Sequence, residues 1–298
     1  MLVSLHSILK AAKEGHYAVG AFNCLSLEHA IGAIQAAEMA KSPIIIQLAE
    51  VQFHGAPIEL MAPIFLSLAK RATVPVTVHL DHAQSLETCV KAIKLGFNSV
   101  MFDGAALPFD KNVEETCQVV RIARAAGVDV EAELGRVGDA GTEDEGNQDE
   151  DVFTSVEDAK LFVEKTGVDC LAIAIGNLHG NYIATPKLNI ERLKEISAAT
   201  DIPLVLHGGS GTSDEDFKAC IHNGICKINV ATALQVADTI DIEKYLAESK
   251  NPNYIGLKSV IVKATQQEVL KHMILFESVN KAYSCLNAAV PAWVSNMK

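Results

Sequence analysis

Val74-Pro75-Val76-Thr77-Val78 runs straight into His79-Leu80-Asp81-His82-Ala83, and helix-compatible chain follows from Ser85. A run of strand-forming residues thus opens into a loop that begins with an acid and a histidine side by side. In a chain of repeating strands and helices, the C-terminal ends of the strands are where chemistry is placed. The same arrangement recurs twice. His179 follows Leu171-Ala172-Ile173-Ala174-Ile175-Gly176, and His207 follows Pro203-Leu204-Val205-Leu206. Three histidines at three strand ends converge only if those ends share one rim.

Outward from this stretch the alternation is regular. Strand patterns are predicted at 18–22, 43–48, 74–78, 97–102, 128–133, 170–175, 204–206 and 226–230. Helical patterns lie between them, at about 26–41, 57–71, 85–95, 111–126, 155–165, 189–199 and 214–223. Ser26 suits a helix N-cap, with Glu28 in the first turn. Strands apolar on both faces belong to parallel sheets covered by helices. Eight strand–helix alternations therefore predict a single (β/α)8 TIM barrel domain over 1–298, with an open doubly wound sheet as the alternative. The period breaks at 135–153, a Gly- and acid-rich stretch that reads as a long flexible loop, either a lid or an insertion. Beyond about 235 the pattern is helical to 298. This C-terminal extension exceeds what a barrel needs from about Lys258 on, and is expected to cover the rim or contact another subunit.

Composition narrows the function. The chain has 298 residues, 49% of them hydrophobic, and a formal net charge of −12. That balance argues against general binding to nucleic acid or anionic membranes, though not against a local basic pocket. No apolar run reaches the ~20 residues of a membrane helix. The seven cysteines include no C-x-x-C pair. They read as reduced thiols, and with an N-terminus unlike a signal peptide they predict a cytoplasmic protein.

Three neutral histidines with one open position form a catalytic zinc arrangement, and the candidates are His82, His179 and His207. Any one of them alone could equally be a hydrogen-bonded structural residue. Asp81 adjoins a proposed ligand and is the candidate proton-transfer group, unless it only orients a histidine. His79 lies inside the strand as a wall residue. Asp103 and Glu133 end the fourth and fifth strands and offer a second metal position or hold histidines. The turn His207-Gly208-Gly209-Ser210-Gly211 and the segment Asn229-Val230-Ala231-Thr232 follow strands seven and eight. Backbone N–H groups there make a phosphate seat without any lysine. Two rivals stand beside this reading. One is a Schiff-base enzyme using Lys227, and the other is a non-catalytic sugar-phosphate-binding protein.

These motifs, with Ser99-Val100-Met101-Phe102-Asp103-Gly104, Glu131-Ala132-Glu133-Leu134-Gly135 and Lys227-Ile228-Asn229-Val230, resemble the zinc-dependent class II ketose-bisphosphate aldolases, the fructose- and tagatose-bisphosphate aldolase family. The resemblance implies a (β/α)8 barrel that reversibly cleaves a ketose (bis)phosphate to dihydroxyacetone phosphate and an aldehyde through a zinc-stabilised enediolate. It implies Zn2+ on His82, His179 and His207, with Asp103 and Glu133 as a second position, and Asp81 as the proton-transfer residue. The phosphate site it implies comprises Gly180, Gly208, Gly209, Ser210, Asn229, Val230, Ala231 and Thr232, with a monovalent cation (Na+ or K+) nearby. It further implies a homodimer or homotetramer, and a loop acid among Glu143, Asp144 and Glu145 that protonates the enediolate. The family's serine after the second strand is replaced here by Gln47-Leu48-Ala49-Glu50-Val51, and no arginine follows Arg192. Lys258 or Lys263 would have to serve a distal phosphate, which Glu50 would repel. The same chemistry on a ketose 1-phosphate other than fructose or tagatose is therefore the alternative.

Overall fold

The strand expected around Val19 forms one residue later than its apolar run, and the second and fifth strands show the same small shift. In this computed structural model, β1 (Val19–Asn23), β2 (Ile44–Ala49), β3 (Val76–Ala83), β4 (Ser99–Phe102) and β5 (Asp129–Leu134) come first. Then come β6 (Gly138–Asp139), β7 (Cys170–Ile173), β8 (Leu178–His179), β9 (Leu204–Leu206) and β10 (Ile225–Val230). Residues 1–135, 138–139, 153–179 and 187–283 are described, with 138, 139 and 179 as backbone. The predicted acidic loop at 135–153, its candidate acids Glu143, Asp144 and Glu145, Gly180, and the extension beyond 283 lie essentially outside the described residues.

Eight strands close into a parallel barrel in the order β1-β10-β9-β7-β5-β4-β3-β2. The ring shuts where β1 meets β10, with Ala21 opposite Asn229. β6 and β8 form a separate parallel pair, Gly138 opposite Leu178 and Asp139 opposite His179. The open-sheet alternative is thereby excluded.

Helices α2 (Leu27–Ala40), α3 (Ile58–Arg71), α4 (Leu86–Leu95), α5 (Phe109–Ala126), α6 (Val156–Thr166), α7 (Ile190–Ala199) and α8 (Asp214–His222) alternate with the strands. Ser26, Ser85, Ser155 and Ser213 each accept a backbone N–H at a helix start, which satisfies one donor the first turn cannot pair internally. α9 (Thr232–Glu248) and α10 (Tyr254–Leu275) complete the chain. The expectation that chain beyond Lys258 covers the rim does not hold for α10. It packs along α2, α9 and β1 in the outer ring. Gly32 permits this, because a Cβ there would lie 2.5 Å from the Val262 carbonyl oxygen.

One element went unforeseen. α1 (Leu5–Gly15) closes the barrel from below. Its Leu5, Ile8, Leu9 and Ala12 are fully buried against lumen residues such as Val19, Ile45, Cys170 and Val205. Each of the large side chains contributes about 1.5–3 kcal/mol by leaving water. A second core lies outside the sheet, where Ile44, Ile46, Val78 and Leu80 meet the helices. Because successive side chains face opposite ways, the lumen receives the other set. That set is apolar near α1 and turns polar towards the C-terminal rim: His79 and Asp81, Glu131 and Glu133, Lys227 and Asn229.

Candidate active site

The site starts from a break in β3. Pairing with β4 shifts register between Leu80 and Ala83, and His82 sits at φ 44°, in the left-handed region. A non-glycine residue pays steric energy there, and such strain and bulges gather at functional sites. In a regular strand Asp81 and His82 would face opposite sides of the sheet. With the bulge, both line one cavity of about 470 Å3 at the C-terminal rim.

His207 enters from the end of β9, and its ring lies 4.5 Å from that of His82, centroid to centroid. His82 Nδ1 meets Asp103 Oδ2 at 2.8 Å, and its Nε2 lies 3.8 Å from Asp81 Oδ1. His207 Nδ1 is 3.0 Å from Glu133 Oε2, while its Nε2 is 3.0 Å from Glu131 Oε1. Among the described residues, two sets bring ligand atoms within 4.8 Å of one another: Asp81, His82 and His207, and His82, Asp103 and Glu133. Burial alone would lower the His82 imidazole, but Asp81, Asp103 and Glu133 raise it to about 10. Three carboxylates around two imidazoles leave excess negative charge, and a mixed nitrogen and oxygen donor set of this kind fits a divalent cation such as zinc.

The third predicted histidine is placed by its backbone. Asn177 Nδ2 donates to the His207 carbonyl oxygen at 3.1 Å. Gly208, at φ 72°, lies so near Leu178 that a Cβ would stand 1.7 Å from the Leu178 carbonyl oxygen. Residues 177–179 are thus laid over the turn after β9, on the same rim. The His179 side chain lies outside the described residues.

Asp81 is 3% exposed and is clamped by two amides. Asn23 Nδ2 donates to Oδ2 at 2.9 Å and Asn229 Nδ2 to Oδ1 at 3.0 Å. Gln47 Nε2 holds the Asn23 Oδ1 at 2.9 Å. Burial would raise the carboxyl, but His82, Lys227, His207 and His79 outweigh it and bring it to about 2. Asp81 is therefore an anion that only a strong local demand protonates.

Below this layer Lys227 Nζ pairs with Glu131 Oε2 at 2.8 Å, both side chains fully buried. Burial would raise the Glu131 carboxyl, yet Lys227, the His207 hydrogen bond and His79 hold it below the usual range. Lys227 does not line the cavity, so the Schiff-base reading has no amine at the substrate. His79 is fully buried and does not line the cavity, with its Nδ1 2.8 Å from Ser99 Oγ. Sequence reasoning passed over Glu131, Gln47 and the clamping role of Asn23. The available signal was the two-residue period, which puts Glu131 on the lumen face with Glu133.

Gly208, Ser210, Asn229, Ala231 and Thr232 line the cavity. Gly209 and Val230 are buried behind it. Ser210 Oγ accepts the Ala233 N–H at 3.2 Å, tying the turn to the start of α9. The opposite wall consists of Val51, Gln52, Gln84, Ala105 and Ala106. Glu50 is turned away from it. Its carboxylate accepts the Gln84 N–H at 2.8 Å and the Thr88 hydroxyl at 2.9 Å. Lys258 is engaged by Glu28.

Comparison with known proteins agrees with this geometry. Residues 3–281 match the family model described as Fructose-bisphosphate aldolase class-II. A probable fructose-bisphosphate aldolase of Bacillus subtilis is 40% identical over 94% of this chain and 99% of that protein. A sulfofructosephosphate aldolase of Alkalicoccus urumqiensis is 42% identical over 91% of this chain and 95% of its own length. The crystal structure of the YdjI aldolase from Escherichia coli K12 superposes with a TM-score of 0.86 at 37% identity, covering 95% of this chain and all of that one. The chain belongs to the class II fructose-bisphosphate aldolase family of lyases, built on the (β/α)8 barrel.

Proposed function

We propose that this chain reversibly cleaves a phosphorylated ketose between C3 and C4, releasing dihydroxyacetone phosphate and an aldehyde, with zinc held by His82, His179 and His207. The observation that carries this reading is the amide-clamped Asp81 beside two rim imidazoles. A divalent cation bound there supplies Lewis acidity to the ketose oxygens. Asp81 takes the proton from the C4 hydroxyl, the C3–C4 bond breaks, and the C4 oxygen becomes the aldehyde carbonyl. The electron pair stays on the three-carbon fragment as an enediolate, near the Asn229 amide. A loop acid, Glu143, Asp144 or Glu145, then protonates it. The turn at Gly208–Ser210 and the start of α9 at Ala231–Thr232 seat the phosphate through backbone N–H groups, with Gly180 and a monovalent cation completing the seat. Asp103 and Glu133 provide a second metal position. Activity in the cytoplasm as a homodimer or homotetramer belongs to the same proposal. Among the described residues no helix is long and apolar enough to cross a membrane.

A second reading concerns the aldehyde end. Among the described residues lining the cavity there is no lysine or arginine, and the wall away from the phosphate turn is neutral: Val51, Gln52, Gln84, Ala105 and Ala106. Amides pair with sugar hydroxyls, and small apolar side chains leave them room. This wall supports a ketose 1-phosphate with an uncharged far end over a bisphosphate. The deciding experiment strips the protein with chelator, restores zinc, and follows dihydroxyacetone phosphate release from fructose 1,6-bisphosphate, tagatose 1,6-bisphosphate and a set of ketose 1-phosphates. Zinc-dependent cleavage favouring a ketose 1-phosphate supports both readings. Preference for a bisphosphate removes the second, and activity that survives chelation removes the first.

A further inference from the structure

Asn23 and Asn229, the two amides on Asp81, sit at the ends of the strands that close the barrel. Each is followed within two residues by a segment that leaves the sheet: 24–26 leads into α2, and Ala231 leads into α9. A buried polar pair joins those two departures. His29, on the first turn of α2, lies against Asp238 of α9 through Nε2, both side chains being 8% exposed. His29 Nδ1 accepts the backbone N–H of Leu25 at 3.1 Å. Since Nδ1 accepts, the ring proton is on Nε2 and is donated to Asp238. The second Asp238 oxygen accepts the Thr265 hydroxyl of α10 at 3.1 Å. The connection is continuous. From Asn23 the chain passes Cys24, whose N–H is bound to the Gln47 carbonyl at 2.9 Å, to Leu25, His29, Asp238 and back along α9 to Asn229.

We propose that His29 and Asp238 are positioning residues that set the spacing of the Asn23 and Asn229 amides around Asp81. The Ser26 cap and apolar packing already hold α2, and the Ala233 N–H bond to Ser210 with buried Leu234 holds the start of α9. A buried imidazole–carboxylate pair between them adds directional constraint, which apolar contact does not supply. The two donors reach opposite oxygens of one carboxylate. Relative movement of their strand ends would therefore rotate or release it, and a small misplacement at a reacting group is costly.

The inference rests on the aldolase reading, and its test separates the two. His29→Asn keeps an acceptor for Leu25 but loses Asp238. His29→Gln keeps a donor to Asp238 but loses Leu25, and Asp238→Asn weakens the pair from the other side. Three quantities are compared with the unaltered protein: cleavage of its best ketose, exchange of the C3 proton of dihydroxyacetone phosphate in deuterated water, and amide hydrogen exchange in peptides spanning 19–26 and 229–236. Asp81 acts in cleavage, whereas the C3 proton is moved by the loop acid. The proposal expects kcat for cleavage to fall about tenfold in all three variants, with KM and C3 exchange within twofold and faster amide exchange in both peptides. Cleavage and C3 exchange falling in the same proportion, or lowered melting temperature with unaltered kinetics, would make the pair merely structural and overturn it. If the unaltered protein cleaves no ketose, the aldolase reading fails. The strap is then decided by amide exchange alone, standing if both peptides loosen together and falling if only 19–26 does.

Discussion

His207 donates its Nε2–H to Glu131 across 3.0 Å, which leaves Nδ1 3.0 Å from Glu133 Oε2. The carboxylate that fixes this orientation is itself fixed, because Lys227 contacts both of its oxygens. Glu131→Gln keeps the volume and loses the charge. Metal affinity should fall about 10–100-fold, measured by competition with a chromophoric chelator, with the fold unchanged by circular dichroism.

Lys227→Met leaves Glu131 as a buried charge without its ammonium. Breaking one side of such a pair costs about 3–5 kcal/mol, readable in urea unfolding. The double variant Glu131→Gln/Lys227→Met removes both charges and should recover much of the loss. If the single and double variants are equally unstable, the pair is not the reason Lys227 is tolerated in the lumen.

Asp81→Asn can accept from only one of its two clamps, because its own NH2 then faces the other amide donor. Proton transfer by a positioned side chain is worth about 10²–10⁴-fold in rate, so kcat should fall by that order while bound metal, measured by elemental analysis, stays near the native level. Native-like turnover in this variant would move the proton-transfer role elsewhere.

The order of strands and helices was legible because each barrel strand has an apolar outer face and many of the helices have a serine cap or a glycine stop. The rim residues were legible as well. Asp81, His82 and His207 stand where apolar runs end, and a polar residue at a run's end is conspicuous. Glu131 and Lys227 stand inside such runs, where a window average absorbs them. Their meaning depends on a partner 96 residues away in sequence, which no local pattern reveals. α1 was missed for a related reason. Its Leu5, Ile8, Leu9 and Ala12 carry a helical period, yet a barrel reading starts at the first strand and has no slot for a plug. The left-handed His82 carries no sequence mark, since neither glycine nor asparagine stands there.

His79 gives a pH signature. Burial, followed by the Lys227 charge, lowers its imidazole to about 3 against Glu131 and Asp81, whereas the unfolded chain titrates near 6.5. Between those values the unfolded state binds the extra proton, so stability is present above about 6.5 and is lost as pH falls toward 3. His79→Gln removes this contribution. Its loss of stability from pH 6.5 to 4 should be shallower than that of the unaltered protein by up to about 1 kcal/mol per pH unit. Parallel slopes in the two proteins would show that His79 titrates normally.

Gly208→Ala tests the close approach of the turn after β9 to residues 177–179. With φ 72° and the Leu178 oxygen 1.7 Å from where the added methyl would stand, the backbone must move. The left-handed conformation alone costs about 1–2 kcal/mol for alanine. Because the displaced segment leads into His179, metal affinity should fall together with melting temperature. A variant that loses stability and keeps its metal would separate this turn from the third histidine.

The pairing of β1 with β10 also sets the order in which the enzyme becomes an enzyme. Asn23 is made first and Asp81 soon after, but Asn229 follows Asn23 by 206 residues. At about 5–20 residues per second, the first amide waits on the order of ten seconds or more for the second. Throughout that time the carboxylate is held on one side only, and the first strand lacks its neighbour across the closing seam. Both amides on Asp81 are in place only once the last barrel strand is made. Competence arrives in one late step, with the strand that shuts the ring.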